Sequence, residues 1–268
     1  MSPELTPKIS GLTIFPIKSM DGVSVQQAQL FSAGGLWGDR LWAVFDQAGE
    51  VVTGKNTPRI ISLRAKFSPD LSEVSFWIEG ESPTSFSLSE CRTGRNPRLY
   101  KHLSDYLGKN VELRCNETSG FPDYESNPGP SIVSTASLEE FCQWFPEITL
   151  VEARRRFRTS IEIDGVPAFW EDGLFREKGV AQRFHLGSVE VHGMGPIMRC
   201  PVPTRDPDTG DVTRGFQRRF ILARQKTLGL ATQESAARLV DGYYMAVKTQ
   251  VPDAQEKGLS VGDPVTLF

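Results

Sequence analysis

The chain has 268 residues, a net charge of −3, 39% apolar and 24% charged residues, and three histidines. A chain of this length buries roughly 70–75% of its unfolded surface and folds without disulfide or metal, and its slight acidity leaves no electrostatic footprint for nucleic acid or an anionic membrane. Cysteines at 91, 115, 142 and 200 lie far apart with no C-x-x-C pair, which argues against a structural zinc site or an in-chain iron–sulfur cluster.

Met1 to Gly11 has neither the basic lead nor the apolar core of a targeting segment, and no run approaches a membrane span. A cytoplasmic protein with reduced thiols is the expectation. Leu12–Ile17 reads as a strand leading into the turn Asp21-Gly22, Leu41–Phe45 as another stopped by Asp46–Gly49, and Val51–Thr53 as its hairpin partner. Strands over 61–67, 73–78 and 84–88 continue a pattern suited to a barrel or sandwich.

Asn96 caps a helix that begins at Pro97, presents Leu99, Leu103, Tyr106 and Leu107 on one face, and stops at Gly108. The alternation Val111–Cys115 follows as a strand. Residues 116–130, rich in Gly, Pro, Asn and Ser, read as a linker or long surface loop, placing a boundary between domains 1–118 and 119–268. Ser137 opens a capping box with Glu140, and Leu138, Phe141, Cys142 and Phe145 form the buried stripe of the helix it starts. Strands over 160–163, 188–193 and 262–268 and a helix over 228–240 complete a mainly β fold with a few helices (α+β), its first domain barrel-like.

Chemistry concentrates at a few points. Cys200, in Arg199-Cys200-Pro201, precedes the turn Asp206-Pro207-Asp208-Thr209-Gly210; Arg199 favours a thiolate, and a strand end makes the sulfur reachable. A buried structural cysteine is the alternative. Lys18 and Ser19, a cation and a hydroxyl before a turn, suit an anion, or are a solvated loop. Asp39-Arg40 is a surface ion pair by itself, and the four arginines of 154–158 are a solvated edge or an anion clamp. Phosphate-loop, dinucleotide and nucleophile-elbow motifs are absent, and His185 or His192 offers a base to Cys200 only if the fold brings it there.

Together, Phe15-Pro16-Ile17-Lys18-Ser19, Gly38-Asp39-Arg40-Leu41-Trp42, Ser134-Thr135-Ala136-Ser137-Leu138, Phe157-Arg158, Arg199-Cys200 with the 206–210 turn, and Val261-Gly262-Asp263-Pro264-Val265 resemble the MOSC domain family with its N-terminal β-barrel domain. The likeness is greatest to the amidoxime-reducing branch and its bacterial relatives. It implies a second β-barrel domain over 119–268 and a molybdenum cofactor whose metal takes Cys200 as ligand, making Cys200 the catalytic residue. It implies a cofactor grip by Lys18, Ser19, Arg40, Ser134, Ser137, Arg158 and Ser160, and brings the family's association with pyridoxal phosphate. The implied reaction reduces N-hydroxylated small molecules with electrons from a separate ferredoxin, cytochrome or flavin reductase. The chain departs from the pattern at Thr159-Ser160, where Pro-Asn stands in the mitochondrial relatives, and at Pro201, Pro203 and Arg205. A sulfur carrier with a persulfide on Cys200 and a phosphate-ligand binding protein are the competing functions.

Overall fold

In the computed structural model, which describes residues 6–94, 96–228, 239 and 242–268, strands outnumber helices, as the short alternating runs predict. The first half carries β1 (Lys8–Ile14), β2 (Val23–Val25), β3 (Gln27–Gln29), β4 (Trp42–Asp46), β5 (Arg64–Phe67), β6 (Glu73–Trp77), β7 (Thr84–Ser87), the helix α1 (Pro97–Leu107) and β8 (Val111–Cys115). The second half carries β9 (Ile132–Ser134), α2 (Thr135–Trp144), α3 (Leu150–Phe157), β10 (Ile161–Asp164), β11 (Gln182–Leu186), β12 (Val189–Met198), α4 (Phe216–Gln225), β13 (Tyr244–Gln250), β14 (Gly258–Ser260) and β15 (Val265–Leu267). No helix among the described residues is long and apolar enough to cross a membrane.

Eight strands form one sheet in the order β15-β11-β12-β13-β9-β10-β1-β2, and a bridge between Lys8 and Pro264, with Val265 N donating to Pro7 O at 2.9 Å, brings the start of β1 beside β15 at the other end of that order. β1 pairs antiparallel with β10, and β3 with β14, so strands that precede residue 118 are laddered to strands that follow it. The pair β4-β8 and the meander β5-β6-β7 belong wholly to the first half.

Local signals succeed where they act over a few residues. Asn96 Oδ1 accepts from Leu99 N at 3.0 Å, Gly108 closes α1 at φ 70°, and Leu99, Leu103 and Leu107 are buried. The start of α2 differs: Ser134 is the cap, accepting from Ser137 N at 3.1 Å, and Ser137 lies one turn inside. Ser137 Oγ instead accepts from Phe169 N at 2.6 Å and donates to Glu171 at 3.0 Å, a tertiary use that the local pattern does not encode. Val51–Thr53 makes only a bridge to Phe45, and the 61–67 strand starts at Arg64 because residues 58–62 wind into a 3-10 turn. The helix over 228–240 lies, but for Leu228 and Leu239, outside the described residues.

α2 and α3 cross over between the parallel neighbours β9 and β10. Their inner face is aromatic: Phe141 meets the Phe157 ring edge-on at 4.8 Å and the Phe145 ring at 4.7 Å, with Phe216 and Phe220 of α4 beside them. Each fully buried ring contributes roughly 1.5–3 kcal/mol. Burial of Phe157 fixes the C-terminus of α3 and, with it, the position of Arg158.

Candidate functional site

A cleft of about 1020 Å³, open to solvent, is lined by Lys18, Ser19, Arg40, Arg158, Ser160 and Cys200, residues that span most of the chain. The backbone joins the first three. Trp42 N donates to Pro16 O at 2.9 Å, Lys18 N to Trp42 O at 2.9 Å and Arg40 N to Phe15 O at 2.8 Å, zipping the Lys-Ser turn to the Asp-Arg turn. Asp39 Oδ1 adds an acceptor for Phe15 N at 2.8 Å, so this aspartate is a bracket as well as an ion-pair partner. The Phe15 ring then supports two guanidinium groups, Arg158 at 4.2 Å and Arg40 at 5.5 Å from its centroid.

Arg158 enters from α3 as its C-cap, its N–H bonded to Arg154 O at 2.9 Å and its φ at 53°. Ser19 at φ 71° and Arg40 at φ 51° share the left-handed conformation, so three of the seven non-glycine residues with positive φ among the described residues line this one cleft. Backbone in that region is unfavourable for a side-chain-bearing residue, and its concentration here marks a surface held in shape by its surroundings. Cys200 follows the end of β12 by two residues; Arg199 N holds the crossing strand through Tyr243 O at 2.7 Å, and the 3-10 turn Val202–Thr204 begins just beyond.

Seven cations and two carboxylates line the cleft of a chain whose net charge is −3. Asp123 is the internal counter-ion, 2.8 Å from Lys18 Nζ and 3.7 Å from Arg40 Nη2. Burial opposes its charge, yet Arg40 and then Lys18 hold its carboxyl far below the usual range. Burial lowers Lys18, with Asp123 pulling the other way, and lowers Arg199. Burial and the neighbouring Arg40 bring Arg158 down to about 10. Arg158 Nη2 and Arg199 Nε are buried without an acceptor. A cationic surface with orphaned donors is built to receive an anion.

Ser134 and Ser137 do not line the cleft: both are fully buried, bonded to each other at 2.7 Å in the cap of α2, next to Glu171. The arginine run separates because helical spacing aims each member differently. Arg154 pairs with Glu162 at 2.7 Å, Arg156 with Glu152 at 2.7 Å, Arg155 with Asp208 at 2.9 Å, and Arg158 reaches the cleft. His185 stacks edge-on with Phe268 and His192 meets Glu190 at 2.8 Å; neither lines the cleft, so Cys200 has no imidazole base. The other thiols sit elsewhere, and burial pushes Cys91 and Cys115 up to about 11 and raises Cys142.

The loop read as a linker supplies what the sequence reading missed. Phe121 O and Pro122 O accept from Lys18 Nζ at 2.8 and 3.2 Å, and Asp123, Tyr124, Asn127 and Gly129 line one wall. Tyr124 carries the Lys248 ammonium 4.9 Å above its ring, and Gly129 packs so closely on β13 that a Cβ there would lie 2.5 Å from Thr249 Oγ1. The clue in the sequence was Phe121, Asp123 and Tyr124 together in a segment otherwise rich in Gly, Pro, Asn and Ser.

Residues 6–110 match the family model of the MOSC N-terminal beta barrel domain. Over the longer span the chain is similar to the human mitochondrial amidoxime reducing component 2, 26% identical over 77% of this chain and 69% of that protein. Human mitochondrial amidoxime-reducing component 1 is 24% identical over 77% and 68%. The Xenopus laevis mitochondrial amidoxime-reducing component 1 is 24% identical over 96% of this chain and 81% of its own length.

Proposed function

We propose that the protein is a molybdenum-cofactor-dependent reductase of N-hydroxylated small molecules, with the cofactor in the cleft and Cys200 as its metal ligand. The observation that carries this reading is the convergence of Lys18, Ser19, Arg40, Arg158, Ser160 and Cys200 on one cavity, together with the likeness to amidoxime-reducing components. The residues present suit such a group. Among the described residues no three His, Cys, Asp or Glu side chains gather into a metal site, so a metal at Cys200 has to bring most of its ligands with it, as a dithiolene-bound metal does. The orphaned Nε–H of Arg199 is a donor for an oxygen of an anionic organic cofactor.

When bound, the cofactor supplies two-electron chemistry at the metal, and the protein binds, orients and tunes it. Lys18, Ser19 and Arg40 form the phosphate end, where an entering phosphate takes over cations that Asp123 holds in its absence. Arg199 and Cys200 line the same cleft, so the guanidinium places positive charge beside the sulfur. Tyr124 and Lys248 stand on the cleft wall as polar groups for the substrate. Electrons come from a separate donor protein.

Metal analysis and pterin fluorescence on the purified chain test the proposal. The expected result is molybdenum close to one per chain, lost in Cys200→Ala while the melting temperature is kept. Full molybdenum-dependent activity in Cys200→Ala refutes the ligand role, and a sulfane sulfur on Cys200 in metal-free protein supports a sulfur carrier instead.

A further inference from the structure

We propose that a second recess, behind the wall of the main cleft, is a binding site for one doubly charged phosphoryl group. The recess is lined by Arg155, Arg156, Arg158, Arg205, Asp21 and Ser19 among others. It adjoins the main cleft across Ser19, Arg156, Arg158 and Val202, which line both. Its outer side is the Asp206–Gly210 turn, which does not line the main cleft: Arg155 Nη2 donates to Pro207 O at 3.1 Å, and Arg205 Nη1 to Gly210 O at 2.9 Å.

Charge accounting identifies the ligand class. Asp21 and Asp208 bind Arg64 at 2.8 Å each and Arg155 at 3.5 and 2.9 Å, and Glu152 binds Arg156 at 2.7 Å. Glu79 adds only an exposed contact to Arg64 at 3.9 Å and does not line the recess, and the other three carboxylates balance these three arginines. Arg158 and Arg205 have no ion-pair partner among the described residues, which leaves two positive charges at the recess. The hydrogen bonding is incomplete in the same place: Arg155 Nε, Arg158 Nη2 and Arg205 Nε are buried without an acceptor. Water can satisfy an N–H but leaves the charge, whereas a tetrahedral dianion answers both deficits and matches the guanidinium fork. The inference stands whether or not the main cleft holds molybdenum.

The phosphoryl group has two possible sources, free inorganic phosphate or a second phosphoryl on whatever molecule occupies the main cleft. Calorimetric titration of the purified full chain with inorganic phosphate at constant ionic strength tests the site. Lys18→Met should retain phosphate binding at the recess, and Arg205→Gln should weaken it tenfold or more with an unchanged melting temperature. If Arg205→Gln does not fold, Asp21→Asn supplies the opposite sign, since removing that carboxylate should tighten phosphate. Phosphate affinity equal to wild type in folded Arg205→Gln, or no phosphate binding that survives Lys18→Met, overturns the proposal. Phosphorus analysis of the ligand released from the full chain separates the sources: two phosphorus atoms per ligand molecule assign the recess to the cleft's own occupant, and one assigns it to free phosphate.

Discussion

Asp123→Asn separates folding from ligand binding at the main cleft, because the carboxylate serves the ligand-free protein and competes with the ligand. The side chain is 46% exposed and faces Lys18 at 2.8 Å and Arg40 at 3.7 Å. Exposed pairs contribute under ~1 kcal/mol and breaking a buried pair costs about 3–5, so this half-exposed bridge lies between, at about 1–2 kcal/mol, or roughly 2–6 °C in melting temperature. Arg40 keeps Asp39, which limits the loss.

Anion affinity moves the other way. A unit charge ~4 Å from another is worth about 1 kcal/mol in water and about 4 kcal/mol near a protein surface, so removing Asp123 should tighten phosphate at the main cleft by about tenfold. The carboxyl titrates well below its unfolded value, so its stabilisation is present above about pH 4 and disappears as pH falls through the folded value. Wild-type and variant melting curves should therefore converge in acid. Scanning calorimetry from pH 3 to 8 and phosphate titration at pH 7 read both effects. A variant that loses stability and affinity together shows that Asp123 positions the ligand, and the counter-ion argument fails.

Glu171, 1% exposed with burial and then Asp172 pushing its carboxyl up to about 7, is the reverse case. Its folded value exceeds its unfolded one, so stability falls as pH rises from about 4.3 through 7; Glu171→Gln should flatten that slope and raise stability at pH 8 by on the order of 2 kcal/mol in urea titrations, whereas an unchanged slope refutes the assignment. At Arg158, φ 53° favours glycine, so Arg158→Gly should melt above Arg158→Ala by the equivalent of roughly 1 kcal/mol while both lose the cleft ligand; equal melting removes the strain argument. A Cβ on Gly193 would lie 1.6 Å from Leu174 O, so Gly193→Ala should fail to give a cooperative thermal transition, and a wild-type melt would show that β12 can shift.

Elements whose signals are local were legible. The cap and stop of α1, the alternation of β6 to β8, and the exposure of Cys200 near a strand end follow from side chains within a few residues of one another. β9 escaped notice because it has three residues, β11 and β13 because Gln182, Arg183, Lys248 and Gln250 interrupt their apolar pattern, and α3 because its arginines read as a charge cluster rather than as one side of a helix. Ser137 looked like a cap because Glu140 follows at the right spacing; Ser134 three residues earlier makes the bond, and the buried Glu171 takes the Ser137 hydroxyl.

Turn chemistry and hydrophobic period act over short spans, so the β-rich class, the positions of the cationic turns and the single thiol beside an arginine are legible in residue order alone. Their convergence on one site is a product of long-range folding. Lys18 meets a carboxylate 105 positions away, Arg158 donates to Met20 O, and a stretch with the composition of a linker becomes the wall that holds the counter-ion. Such partners are chosen by strand pairing and aromatic packing across the whole chain, where the free energy of closing the fold, rather than any local preference, fixes which charges face one another.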